Sequence, residues 1–184
     1  MEKNLEVYIA GSISRRCEKE WHSAVSKALI DMGYQTYAPA ENTSINDKTN
    51  NPTPRSIYDG DVAKLKSCDI LLCELHGGKQ DGTIWECGMI SGWNELAKMI
   101  NDHENVKHRD IFVPFKEMYF YTSNSRLLNN MNWRGIPSES LNHLVIGGFD
   151  VWGDFLGSPE DMIKAMRTRM DSRLALRDGR ALCS

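Results

Sequence analysis

Apolar residues fall along this chain in short dense runs and in helical stripes, and the two kinds of segment alternate. Leu5–Ala10 (LEVYIA) is a compact apolar run ending at Gly11-Ser12, the pattern of a buried strand that meets a turn. From Cys17 to Met32 the residues Trp21, Val25, Leu29 and Met32 recur at helical spacing, and Gly33 stops the helix. Tyr34–Ala38 reads as a second strand closed by Pro39. Glu41–Arg55 holds four Asn and two Pro with no apolar pattern beyond Ile45, so it reads as a long loop, and loops of that length in compact domains are usually functional or mobile. Ile57, Val62 and Leu65 put a helix over Ile57–Ser67, with Asp61 near its start. Asp69–Leu75 (DILLCEL) is the near-continuous apolar strand expected of a parallel sheet buried on both faces. His76–Gly82 is a glycine-rich loop, and a helix runs from Thr83 to about Ile100. A polar connector, Asn101–Arg109, leads to a strand at Asp110–Phe115. A turn of helix follows near Ser138–Ile146, then a strand at Phe149–Phe155 and a last helix with Ser158 as its cap and Pro159 at its first position. Residues 116–137, with Tyr119, Tyr121, Trp133 and Arg134, are expected to form a lid.

Strands alternating with helices argue for an α/β fold, a flavodoxin-like (Rossmann-like) doubly wound five-stranded parallel sheet with helices on both faces. The length of 184 residues suits a single domain over residues 1–184. Ligands of such sheets bind beyond the carboxyl ends of the strands, at the switch point. That rule gathers Gly11-Ser12, the Glu41–Arg55 loop and the His76–Gly82 loop around one cleft.

Charge and composition narrow the partners. A net charge of −3 and a pI near 6.0 offer no basic excess, so no nucleic acid polymer is expected. The five cysteines form no CxxC pair, and Cys73 with His76 lacks a second ligand pair, so no metal and no cofactor are expected. The start of the chain lacks the pattern of a signal peptide, and no segment has the roughly 18–20 apolar residues of a membrane span. A cytoplasmic protein with reduced thiols and no membrane partner is the expectation.

The densest chemical signal is Asp81-Gly82-Thr83-Ile84-Trp85-Glu86-Cys87-Gly88. Gly82 and Thr83 would form a helix entrance, with Glu86 one turn inside and its side chain leaning back toward the cleft. There the helix N-terminus would keep the carboxylate ionised, ready to act as a nucleophile or to face an oxocarbenium ion. On the pattern alone, a first-turn Glu that merely complements the helix dipole is the better reading. Asp59, Asp61 and Asp69 form a second acidic group, for which capping and solvation explain as much as function does. Gly77, Gly78 and Gly82 match neither GxxxxGK[ST] nor GxGxxG.

Three separated blocks, VYIAGSI (7–13), IYDGDVAKLKSCDILLCEL (57–75) and DGTIWECG (81–88), together resemble the nucleoside 2-deoxyribosyltransferase family. Leu141-Asn142-His143-Leu144 and Gly148–Trp152 resemble that family's C-terminal segment. The resemblance implies that Glu86 is the nucleophile that attacks C1′ of a 2′-deoxynucleoside and carries the sugar as a glycosyl ester. It implies that Asp61 holds or protonates the leaving base. It also makes Asp81 the partner of the sugar 5′-hydroxyl, and Asn142 a contributor from a neighbouring subunit of a homo-oligomer. Tyr8 and Gly11, with Ser12 and Thr83, would border the substrate. The partners implied are small molecules, 2′-deoxyribonucleosides and free nucleobases. The sequence departs from the family pattern where Ser12 replaces a Pro, where the 42–55 loop lacks a counterpart, and where the tail runs on past Met162. Two other readings stand beside the transferase: an N-glycosidase of the same superfamily in which water replaces the acceptor base, and a non-catalytic nucleotide-sensing module. An anionic Asp81 disfavours the phosphate that a nucleotide hydrolase must bind.

Overall fold

The computed structural model describes residues 4–47, 49, 51–77, 80–103, 112–129, 131–132, 136–137 and 141–177. Five parallel strands form the sheet in the order β2-β1-β3-β4-β7: β1 Glu6–Ala10, β2 Gln35–Tyr37, β3 Ile70–Glu74, β4 Glu117–Tyr121 and β7 Gly153–Phe155. A small antiparallel pair, β5 Met131–Asn132 with β6 Ile136–Pro137, stands apart. The helices are α1 Arg16–Asp31, α2 Thr43–Asn46, α3 Pro54–Ser67, α4 Asp81–Asp102, α5 Ser125–Asn129, α6 His143–Trp152 and α7 Pro159–Arg177.

The apolar runs of β1 and β3 are continuous because each strand is buried on both sides. Alternate residues supply two separate cores. Val7, Ile9, Ile70 and Leu72 pack with Val25 and Leu29 of α1 and with Met162, Met166 and Met170 of α7. Tyr8, Ala10, Leu71 and Cys73 pack on the other face with Leu65 of α3, Cys87 and Ile90 of α4, and Ile146 and Phe149 of α6. The chain passes from β1 outward to β2, then returns across β1 to β3. The switch point therefore lies between β1 and β3, and their carboxyl ends open a crevice there.

The structure corrects several sequence expectations. The strand expected at Asp110–Phe115 is β4, Glu117–Tyr121, and of the expected segment only Phe112 onward lies among the described residues. Pro114 has no N–H to give a central ladder, and Phe112 is 67% exposed, whereas EMYFY carries no proline and buries Met118, Phe120 and Tyr121. The segment expected as a lid over 116–137 thus begins with a central strand that carries Tyr119 and Tyr121, and Trp133 and Arg134 lie outside the described residues. The helix expected to end at Ile146 runs on to Trp152, so Phe149–Trp152 is helical, and the strand begins only at Gly153. Gly147-Gly148 hides a helix whose real signals are the Asn142 cap and the buried pair Ile146 and Phe149. The loop expected over Glu41–Arg55 contains α2, follows a turn of 3₁₀ helix at Pro39–Glu41, and ends where α3 begins at Pro54.

Candidate active site

At the carboxyl ends of β1 and β3 lies a cleft of about 450 Å³, lined by Gly11–Ser14, Pro39, Ile45, Asn46, Ile57, Asp61, Gln80–Thr83 and Glu86. Each wall comes from a local structural cause. Gly11 ends β1 against the imidazole of fully buried His22, and a Cβ at Gly11 would sit 2.6 Å from Nε2 of that ring. Only glycine lets the strand turn there. Ser12 then donates from Oγ to Glu18 Oε2 at 2.8 Å, and the same carboxylate oxygen accepts the Arg15 N–H at 2.7 Å, which closes the start of α1. Gln80 fixes the far wall: its Nε2 donates to the Glu74 carbonyl at 2.8 Å, and its Oε1 accepts the His76 N–H at 3.0 Å.

The α4 helix starts two residues earlier than the sequence suggests, at Asp81. Asp81 and Thr83 therefore occupy its first turn, and Glu86 stands in the second turn, half-buried, where the pull of the helix terminus has faded. Glu86 is accordingly not the freely ionised carboxylate expected from sequence. Burial, joined by the charge of Asp61, pushes its pKa up from 4.5 to about 7, and a hydrogen bond from Tyr8 opposes the rise. That bond runs from the Tyr8 hydroxyl to Glu86 Oε1 at 2.6 Å. Burial, and then the charge of Glu86, drives the Tyr8 pKa far above its usual value, so Tyr8 remains a donor.

A second tyrosine–carboxylate pair stands beside the first. The Tyr37 hydroxyl donates to Asp61 Oδ1 at 2.9 Å, and the two tyrosine rings lie 5.3 Å apart. Because α3 begins at Pro54, Asp61 falls in the middle of that helix rather than near its start. Burial raises its pKa, against the lowering effect of the Tyr37 donation.

The structure thus brings together Gly11, Ser12, Asp61, Asp81, Thr83 and Glu86 as cleft walls, with Tyr8 behind Glu86. Asn142 is not brought to the cleft in its own chain. It caps α6, its Oδ1 accepting the Leu144 N–H at 2.8 Å, and it is exposed. Sequence reasoning missed Tyr37, Asn42, Asn46 and Gln80. Tyr37 ends β2, so the strand-end rule that pointed to Gly11 would have found it. No helix among the described residues is long and apolar enough to cross a membrane.

The model of the nucleoside 2-deoxyribosyltransferase family matches residues 7–136, and the chain belongs to that family. It is also similar to the crystal structure of a conserved protein from Enterococcus faecalis V583, with a TM-score of 0.66 and 18% identity over 91% of this chain and 99% of that one. At that identity the likeness speaks for the fold alone. No curated protein matches the chain at a significant level.

Proposed function

We propose that this member of the family transfers 2-deoxyribose between nucleobases through an ester on Glu86, with Asp61 attending the base. The observation that carries the reading is a pair of half-buried carboxylates in one cleft, each oriented by its own tyrosine hydroxyl. Tyr8 engages Oε1 of Glu86, which leaves Oε2 to attack C1′. As the C1′–N bond breaks, its electron pair leaves with the base, and Asp61 gives its proton to a ring nitrogen. The acceptor base then attacks C1′ with a nitrogen lone pair, the ester C–O pair returns to Glu86, and the acceptor's proton goes back to Asp61. Two inversions give net retention.

Asp81, exposed at the first position of α4 and lining the cleft, suits a sugar hydroxyl and repels a phosphate of roughly −1.5 to −2 charges. Free nucleosides are therefore the preferred substrates. Asn142 serves a neighbour's cleft in a homo-oligomer. That role is supported by its exposure beside an apolar groove of about 550 Å³ between α4 and α6, flanked by Leu144 at 84% and Val151 at 63% exposure.

Incubation with a 2-fluoro-2-deoxynucleoside, followed by peptide mass spectrometry, should find the sugar on Glu86. A label on another residue sinks the assignment. Glu86→Ala should fold normally and lose at least about a thousandfold in turnover. Base release at one rate with and without free cytosine as acceptor would favour hydrolysis instead.

A further inference from the structure

Two polar groups lining the cleft, Asn46 and Asp61, are linked by hydrogen bonds that run through the backbone and side chain of Asn42 and the hydroxyl of Tyr37. Asn46 Nδ2 donates to the carbonyls of Pro39, Ala40 and Asn42 at 2.7, 3.1 and 2.9 Å. Asn42 in turn donates from Nδ2 to the Tyr37 hydroxyl at 2.8 Å, and Tyr37 donates to Asp61 Oδ1 at 2.9 Å. This chain fixes which way each group faces. An amide oxygen at the Nδ2 position of Asn46 would meet three carbonyl oxygens, so the side chain has one allowed orientation and Oδ1 is its free end. Among the described residues that oxygen has no partner, and Asn46 lines the cleft. Asn46 therefore offers a fixed acceptor. Tyr37 accepts from Asn42 and spends its single proton on Asp61 Oδ1, which leaves Asp61 Oδ2 for the ligand. Pro39, Ile45 and Ile57 supply apolar walls around these two groups, suited to the faces of a planar ring.

We propose that Asn46 Oδ1 and the Asp61 carboxyl form the base-reading edge of the cleft, selecting nucleobases with an exocyclic amino group beside an unprotonated ring nitrogen. Adenine and cytosine have that edge. The amino group donates to Asn46, and the ring nitrogen accepts from protonated Asp61, the carboxyl placed to protonate the departing base. Hypoxanthine and uracil reverse the pattern. Their carbonyl oxygen faces the Asn46 oxygen, a pairing that leaves both acceptors unsatisfied and desolvated. Because Asn46 is pinned at three carbonyls, it cannot turn its amide over to accommodate them. This inference rests on the proposal that the cleft takes 2′-deoxynucleosides.

The test compares kcat/KM of the wild-type protein on two matched pairs, 2′-deoxyadenosine against 2′-deoxyinosine and 2′-deoxycytidine against 2′-deoxyuridine. The amino member should win by at least about tenfold in both pairs. Cleavage of all four at similar rates, or a preference for the oxo members, overturns the base-reading edge and leaves the deoxyribosyl function standing. Failure to cleave any of the four overturns both. In Asn46→Ala the amino-to-oxo ratio should fall toward one, and an unchanged ratio removes Asn46 from the edge. Because Asn46 also braces its loop, Tyr37→Phe provides the second arm. It keeps the ring and leaves the Asn46 bonds in place, while removing the donor to Asp61 and the acceptor of Asn42 Nδ2. Loss of the Tyr37 donation should raise the Asp61 pKa, shift the pH profile upward and lower kcat/KM on the amino substrates, and a profile identical to wild type rejects Tyr37 as the positioning residue.

Discussion

Tyr8 and Glu86 lie 78 residues apart in the chain and 2.6 Å apart in space, and on the proposed role of Glu86 as nucleophile their bond bears on how activity depends on pH. Glu86 must be ionised to attack, so kcat/KM should rise with pH through about 7. Tyr8→Phe removes a donor that favours the charged form, so the same limb should move to higher pH. A limb unmoved in that variant would detach Tyr8 from the nucleophile. The same shift acts on stability. The folded protein keeps on Glu86 a proton that the unfolded chain releases above its ordinary 4.5, so this group's contribution declines as pH rises from 4.5 to about 7. The penalty approaches roughly 3 kcal/mol above that window, as an upper bound for a half-buried group. Glu86→Gln should therefore raise the urea midpoint at pH 8.5 and change it little at pH 4.5. At this scale sequence patterning named Glu86 and Asp61 but misjudged the charge of Glu86. Burial and a neighbouring carboxylate decided it, and neither leaves a trace in local sequence.

The secondary-structure elements were read best where the signal was local. The end of α1 at Asp31, the strands β1 and β3, and the Ser158 cap of α7 all follow from periodicity and capping chemistry. The reading failed where competing signals sat side by side. IFVPF looks more strand-like than EMYFY until Pro114 is weighed against a place in the middle of a sheet. The pair of glycines at 147 and 148 looks like a break until α6 is seen to bury Ile146 and Phe149 around them. Gly153 marks the true start of the last strand, and the reason is contact: a Cβ there would lie 1.7 Å from the Met118 carbonyl oxygen of β4. Backbone in a paired strand has no room to retreat. Gly153→Ala should cost about 3 kcal/mol or more and lower the melting temperature by roughly 6–12 °C. A melt within 2 °C of wild type, roughly half a kcal/mol at this size, would mean that the edge strand shifts freely.

For the molecule as a whole, the doubly wound topology points to the candidate cleft independently of any residue role, because the order β2-β1-β3 fixes where the crevice opens. What topology could not supply was Asn142, which lies beyond the 7–136 match and away from the cleft of its own chain. If a neighbour supplies that residue, light scattering should show a dimer or larger at assay concentrations. Mixing Glu86→Ala with Asn142→Ala under subunit exchange should then restore activity, since some hybrid sites hold both native residues. No recovery on mixing would return Asn142 to a capping role alone. The bracing of Asn46 has a consequence of another kind. All three of its amide bonds end on carbonyls of residues 39 to 42, so the 39–46 segment is braced from within, and Asn42 and Glu41 tie it to Tyr37 of β2 and Ser26 of α1. A segment built in that way behaves as a cassette. If Asn46 reads the base as proposed, grafting a segment with a different presented edge should change substrate choice while leaving the carboxylates of α3 and α4 in place.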